Sequence, residues 1–486
     1  MATTEQYESA AEFDIPYANR TLALFALLAA SVMYIEMMLT PSLPRIASDY
    51  GVTSAQVSLI LSLYTVFGTA VNPLVGKLGD LYGKKRILTY VLVLYVIMVA
   101  STSFAPNFPY LLASRTLQGV GLAIFPLAFS IAREEFPREM VPRAQGLISA
   151  MFGAGAAVGL PVGAYIANSF GWQANYHIGL VLVMVLTVLI IASVKESRYK
   201  NPGAQMDYVG AVLLGASLAS IVLGLSEGSN WGWGSPAVLG LMLGGLALLF
   251  GLVPLETRMA EPILNLRLLS IRNVLVSNAA GFMTSLGMFL AFQSVIYKLE
   301  LPAPAGFGYD ILSAGLFMMP FAITMVVIAF PVGILISKVG TKPFLFVGGI
   351  IGAVGFAMMS TASTPAELTQ GLIIASAGLG MSMVSLQNLL VLSVQPREMG
   401  LTTSMSTVFR NMGSSMGAPI AGSLISTYTT WTLFGYYNRL PMFYSLPSNV
   451  AFQYSFYIAV LAFCVISLFT LLAREVIGKH AQAQAI

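Results

Sequence analysis

Charged residues are scarce in this chain. Asp, Glu, Lys and Arg make up 9% of its 486 residues, where a soluble domain carries about a quarter. The one cysteine, Cys464, sits in an apolar run. That excludes an intrachain disulfide and leaves no thiol pair for a redox motif or a metal site. The two histidines, His177 at the edge of an apolar run and His480 beyond the last one, are too few for a metal cluster. No phosphate-cradling glycine loop and no intramembrane set of paired acids appears, so neither an enzyme nor a cofactor or metal is expected. The segment "MATTEQYESAAEFDIPYANR" has no basic stretch leading into a short apolar core. It does not read as a signal peptide, which leaves membrane insertion to the first apolar span.

What the chain has instead is apolar length. It is 57% hydrophobic, with a mean hydropathy of +0.80. A bilayer core about 30 Å thick takes roughly 20 apolar residues per helix, and such runs recur almost throughout. They do not alternate as barrel strands would. Fourteen spans are expected, at 22–44, 56–75, 87–105, 109–132, 143–168, 176–194, 208–226, 236–255, 273–297, 311–336, 344–362, 367–393, 400–428 and 453–473. An even count puts both termini on one side. With cytoplasmic termini, 19 of the 24 Lys and Arg fall on inner segments, among them Lys77, Arg133, Arg138, Arg143, Lys195, Arg198, Lys200, Arg258, Arg267 and Arg272. Only Arg45, Lys298 and Arg439 fall outside, and Arg115 and Arg410 lie within spans. This is the positive-inside pattern. The formal charge of +4 therefore orients loops and does not suggest a nucleic-acid partner. Trp172, Trp231, Trp233 and Trp431 all fall at outer ends, where interfacial anchors belong.

Charge concentrates in "GKLGDLYGKKR", residues 76–86, on the inner side between the second and third spans. Orientation accounts for Lys84, Lys85 and Arg86, but not for Gly76, Asp80 and Gly83. Those glycines return. "GKLGDLYGKKRIL" (76–88) aligns without gaps on "GILISKVGTKPFL" (333–345), matching Gly76 with Gly333, Gly83 with Gly340 and Lys85 with Lys342. Two repeated six-helix halves are the plan of an alternating-access transporter. The expected layout is a cytoplasmic tail 1–21, a first half 22–200, an inserted helix pair 201–262, a second half 263–474 and a cytoplasmic tail 475–486.

The stretch at 76–86 resembles the loop signature of the major facilitator superfamily. "LLASRTLQGVGLA" (111–123) is similar to its fourth-helix signature, with Arg115, Gln118 and Gly119 in order. Gly146, Gly155, Gly159 and Gly163 have the spacing of its fifth-helix antiporter signature, with the proline displaced to Pro161. "LTPSLPRI", "LSAGLFMMP" and "FRNMGSSMGAPIAG" resemble the fourteen-helix drug:proton antiporter branch. The resemblance implies a polytopic all-α fold of two six-helix halves plus two inserted helices, in the cell membrane. It further implies a monomer that exchanges protons for amphipathic or cationic organic compounds. Import or facilitated passage of a small organic solute on the same fold is the alternative. It also implies that Asp80 latches the cytoplasmic gate onto a helix end of the other half, with Gly76, Gly83, Lys84 and Lys85, and that Arg115 couples protonation to conformation.

Glu36 is the only acid well within a span. Holding an ionisable group at that depth costs about 2.5–3.5 kcal/mol on insertion scales, which marks it as functional. It is the expected proton carrier, one position beyond Ile35, where the branch pattern places its acid. Met33, Met37 and Thr40 share its helical spacing and are expected to line a substrate pocket with Gln118. From the second half come Asn278, Gln293, Gln387, Asn388 and Arg410, the polar groups within spans.

Overall fold

The computed structural model describes residues 14–137, 140–196, 207–257, 259, 262–394, 399–437 and 440–475. Arg138, Arg198, Lys200, Arg258, Arg439, His480, the side chain of Arg143, the 200/201 junction and most of both tails lie outside the described residues.

Helix overlies every span expected from hydropathy. In the first half these are α1 (Ile15–Met37), α2 (Leu43–Tyr50), α3 (Ser54–Tyr82), α4 (Lys84–Ser103), α5 (Phe108–Gln118), α6 (Ile124–Glu135), α7 (Val141–Phe170) and α8 (Trp172–Ser193). Then come α9 (Tyr208–Trp231) and α10 (Pro236–Glu256). The second half has α11 (Leu266–Leu269), α12 (Arg272–Glu300), α13 (Ile311–Phe317), α14 (Met319–Val339), α15 (Lys342–Thr361), α16 (Pro365–Val391), α17 (Met399–Thr427) and α18 (Asn449–Leu472). Among the described residues, 12 helical segments are long and apolar enough to cross a membrane. α7 and α17, 30 and 29 residues long, pack among them.

Three departures from the sequence reading have local causes. α1 starts at Ile15, inside the expected tail, because the Asp14 side chain accepts from Tyr17 N at 3.0 Å and Pro16 suits a first turn. The first span breaks after Met37 into a 3-10 turn at Thr40–Ser42, since Pro41 and Pro44 have no N–H to continue the ladder. The fourth span likewise breaks into a 3-10 segment at Gly119–Ala123. There the turn meets α3 backbone to backbone, and a Cβ on Gly68 would sit 2.6 Å from the Gly119 carbonyl.

The two expected halves touch through two sets of helices. α3 lies against α17, and α7 against α13 and α14. At the start of α3, Ser54 Oγ is 2.7 Å from Ser426 Oγ and donates to the Gly422 carbonyl at 3.0 Å. α9 and α10 pack on each other, and α9 rests on both α3 and α17.

The segment after α17 is not a plain loop. β1 (Thr429–Tyr437) and β2 (Leu440–Pro447) form an antiparallel hairpin with a register shift between Leu433 and Gly435. A search for 20-residue apolar runs is blind to nine-residue strands. The tryptophans also divide. Trp231, Trp233 and Trp431 are exposed, but Trp172 is buried and donates to Asp49 Oδ2 at 3.2 Å. Trp172 is thus an internal tie between α8 and α2, and not a lipid anchor.

Candidate functional site

The broken first and fourth spans meet, and their breaks build the site. Where a helix ends, the carbonyls of its last turn lose their intrahelical partners. Glu36 stands in the last turn of α1, and its main-chain oxygen accepts from Arg115 Nη2 at 3.3 Å. Arg115 stands in the last turn of α5, fully buried. Its Nη1 donates to Gln118 Oε1 at 2.5 Å, and Gln118 Nε2 donates to Thr102 Oγ1 at 3.2 Å. The guanidinium carbon lies 4.3 Å from the centroid of the Tyr64 ring, a distance at which a desolvated cation–π contact contributes about 2 kcal/mol. Glu36 itself is 7% exposed, and among the described residues no hydrogen bond holds its carboxyl. A buried acid without a fixed partner stands beside a permanent cation whose Nη1 donates to Gln118, whose Nη2 donates to the acid's own carbonyl, and whose Nε has no partner among the described residues.

Tyr64, Tyr95 and Tyr176 close this centre. All three are buried, and their hydroxyls have no hydrogen-bond partner among the described residues. They come from α3, α4 and α8, so nothing in the sequence groups them. Tyr34 OH donates to Asn175 Oδ1 at 3.4 Å, and Asn175 Nδ2 donates to the Gly163 carbonyl at 2.9 Å.

The α7 glycines set the height of α1. A Cβ on Gly155 would lie 2.7 Å from Met33 Cβ, one on Gly159 3.2 Å from Met37 Cβ, and one on Gly163 2.6 Å from Met38 Cα. Close backbone approach at small residues is the usual means of helix contact in lipid. Met33 and Met37 therefore lean on α7 through their Cβ atoms. Pro161 sits inside α7, which continues past it. Thr40 lies in the 3-10 break, buried.

Of the pocket residues expected from the second half, Asn278 and Gln293 are fully buried on α12, and neither side-chain amide has a partner among the described residues. An unsatisfied buried polar group costs about 1–3 kcal/mol. Asn388 is different: its Nδ2 donates to the Val384 carbonyl of its own helix at 2.8 Å. Gln387 and Arg410 are half-buried, and the stem of Arg410 lies along Gly281, whose Cβ would sit 3.0 Å from Arg410 Cγ.

At 76–86, Asp80 Oδ1 lies 3.1 Å from Lys84 Nζ, and that buried ammonium also bonds Glu134 of α6. Asp80 is thus paired within its own half. The segment before α17 and the side chains of its first three residues lie outside the described residues. Gly83 has φ +110° and Gly340 has φ +99°, in the left-handed region open to glycine. Each faces a glutamate that sequence reasoning missed. Glu196, after α8, accepts from Lys85 N and Arg86 N at 3.0 Å each. Glu475, after α18, accepts from Thr341 N at 2.8 Å and Lys342 N at 3.4 Å. Both caps place an anion at a helix N-terminus, where orphan amides and the dipole favour it. Each of the two glycines matched in the sequence, Gly83 and Gly340, thus stands beside a capping acid. Gly76 has no such role, since a Cβ there would meet nothing within 4 Å.

Comparison with other proteins identifies the family and the fold. The multidrug transporter protein MdtP of Bacillus subtilis is 28% identical over 392 residues, covering 79% of this chain and 71% of its own length. An MFS-type transporter of Mycobacterium tuberculosis is 30% identical over 421 residues, and the chain spans 59% of its length. The crystal structure of a bacterial homologue of the human lysosomal transporter Spinster, inward-facing and occupied, superposes with a TM-score of 0.66 over 94% of this chain and 97% of that one, at 13% identity. The family model of the Major Facilitator Superfamily matches residues 25–418. The chain belongs to the major facilitator superfamily, as a multi-pass protein of the cell membrane and a transporter, not an enzyme.

Proposed function

We propose that the protein is a proton-coupled transporter that exports amphipathic or cationic organic compounds by alternating access. In this reading fourteen helices cross the membrane, both termini are cytoplasmic, and the protein acts as a monomer. α1–α8 and α11–α18 are the halves, and α9 and α10 are inserted.

The observation that carries it is the buried, unbonded carboxyl of Glu36 beside Arg115. Burial disfavours the charged form of an acid and a neighbouring cation favours it. Moving α1 against α5 alters that balance, which is how an acid takes a proton on one side and releases it on the other. The carboxylate left behind attracts a cationic substrate, and the unpartnered amides of Asn278 and Gln293 offer it hydrogen bonds from the opposite half. The glycine series on α7 favours export over import, and MdtP is named as a multidrug transporter. Gly76, Asp80, Gly83, Lys84 and Lys85 form the cytoplasmic gate.

Purified protein in proteoliposomes tests the reading. With a pH gradient imposed, a lipophilic cationic dye is expected to accumulate against its own gradient. In lightly buffered medium, adding the dye to the protein in detergent should release protons. Dye movement that ignores the pH gradient, with no proton release, would refute coupling. Accumulation of sugars or anions instead would refute the substrate class.

A further inference from the structure

The β1–β2 hairpin has a face that nothing among the described residues covers. Between Thr429 and Ser448 the only charged residue is Arg439, and there is no acid. Side chains alternate between the faces of a strand, and the register pairs Trp431 with Ser445 and Leu433 with Phe443. Trp431, Leu433 and Phe443 therefore share one face, with 75%, 44% and 53% of their surface open. The other face carries Thr430, Thr432, Tyr444 and Leu446, of which Thr432 and Leu446 are partly covered while Thr430 and Tyr444 are exposed. An isolated two-stranded hairpin is marginal in water, and an open apolar face makes it less favourable still.

The base of the hairpin adjoins an exposed stripe of α18. Tyr428 ends the turn after α17, and its carbonyl accepts from Ser448 N at 2.9 Å and from Ser448 Oγ at 3.0 Å. The Tyr428 ring stands 5.1 Å from that of Tyr454 on α18. Below it Tyr454, Tyr457, Leu461, Leu468 and Leu472 are all exposed at helical spacing. In a multi-pass membrane protein an outward apolar stripe of this kind faces lipid, so the hairpin continues a surface already in contact with the bilayer. Its level is fixed by Ser426, which bonds the start of α3. The hairpin thus emerges at the end of the bundle opposite residues 76–86.

We propose that the Trp431, Leu433 and Phe443 face lies in the headgroup layer of the leaflet on that side. The partner is the lipid surface itself. Aromatic side chains prefer this depth because the ring buries apolar area while its polar edge stays wet. The absence of acids suits a surface that presents phosphate oxygens. The inference does not depend on the direction or coupling of transport.

Spin labels on the full-length chain test it. Single cysteines at positions 432, 433 and 443, in a Cys464→Ser background, are labelled and placed in nanodiscs of mixed phosphatidylcholine and phosphatidylglycerol. Labels at 433 and 443 should collide with oxygen several-fold more, relative to a water-soluble nickel chelate, than the label at 432. Equal nickel access at all three would place the hairpin in water and overturn the proposal. Protection from both reagents, with spin–spin broadening that grows with protein per disc, would assign the face to a second copy and overturn it too. The unlabelled protein gives an independent reading if a cysteine variant folds poorly. Doxyl groups high on the acyl chain should quench its tryptophan fluorescence more than they quench that of Trp431→Phe. Equal quenching of the two proteins would also refute the proposal.

Discussion

Arg115 reaches Glu36 through the main chain, not through the carboxyl: Nη2 donates to the Glu36 carbonyl at 3.3 Å. The cation is therefore held beside the acid whether or not the acid carries a proton. Glu36→Gln keeps the shape and the main-chain contact and removes titration. The variant is expected to lose pH-driven uphill accumulation while retaining dye binding and downhill exchange. Undiminished uphill transport in proteoliposomes would remove Glu36 as the proton carrier.

The gate prediction rests on Asp80. Lys84 keeps Glu134 as a partner when Asp80 is changed, so Asp80→Asn should leave the fold intact. If Asp80 docks on a helix end of the second half when the cytoplasmic side closes, the variant loses about 0.3–2 kcal/mol in that state only. A shift of about 1.4 kcal/mol is tenfold in the equilibrium. Distances between spin labels at the 76–86 ends of α3 and α17 should then move toward the open population. Lys85→Gln should change them less. An unchanged distribution for Asp80→Asn at every pH would leave the acid with its intra-half role alone.

The paired caps predict paired losses. Glu196→Gln and Glu475→Gln each weaken charge-assisted bonds to two amides at a helix start, worth about 0.3–1 kcal/mol at an exposed site. Hydrogen exchange at residues 85 and 86 should quicken in the first variant and at 341 and 342 in the second, with no cross effect. Faster exchange in both places from one substitution would show that the halves do not cap independently.

The inserted pair is expected to line no substrate path. Cysteines placed along 208–255, in a Cys464→Ser background, should react with thiol reagents at rates that substrate leaves unaltered. Protection by substrate at several of these positions would overturn the division into two halves and an insert.

How much of this was legible in the sequence follows from range. Hydropathy found the helices because burial in lipid is written residue by residue. Glu36 and Arg115 stood out because an ionisable group at that depth is costly wherever its neighbours lie. The tyrosine cage did not stand out: Tyr64, Tyr95 and Tyr176 are ordinary apolar-run residues until three helices converge. Glu196 and Glu475 read as charges at helix ends, since their purpose lies more than a hundred residues away at Gly83 and Gly340. Met33 and Met37 matched Glu36 in spacing, yet their backbone lies against α7, because an arc of helix wide enough to hold all three also holds a packing seam. The hairpin escaped for another reason, its strands being shorter than any membrane-spanning run.

α9 packs on both α3 and α17 through one apolar cluster that includes Leu59 and Val66 of α3, but polar bonds are added on the α3 side. To α3 it is fastened by polar bonds: Gln56 Nε2 donates to Glu227 Oε1 at 3.3 Å, and Ser226 Oγ donates to the Ala55 carbonyl at 2.9 Å. Toward α17 its Leu218 and Val222 share an apolar cluster with Met405, Val408 and Met412. Hydrogen bonds fix a register, whereas methionine side chains re-form their contacts after a shift. If the halves rock as proposed, those bonds carry the inserted pair with the first half, while its contacts on α17 re-form like a greased runner along the seam.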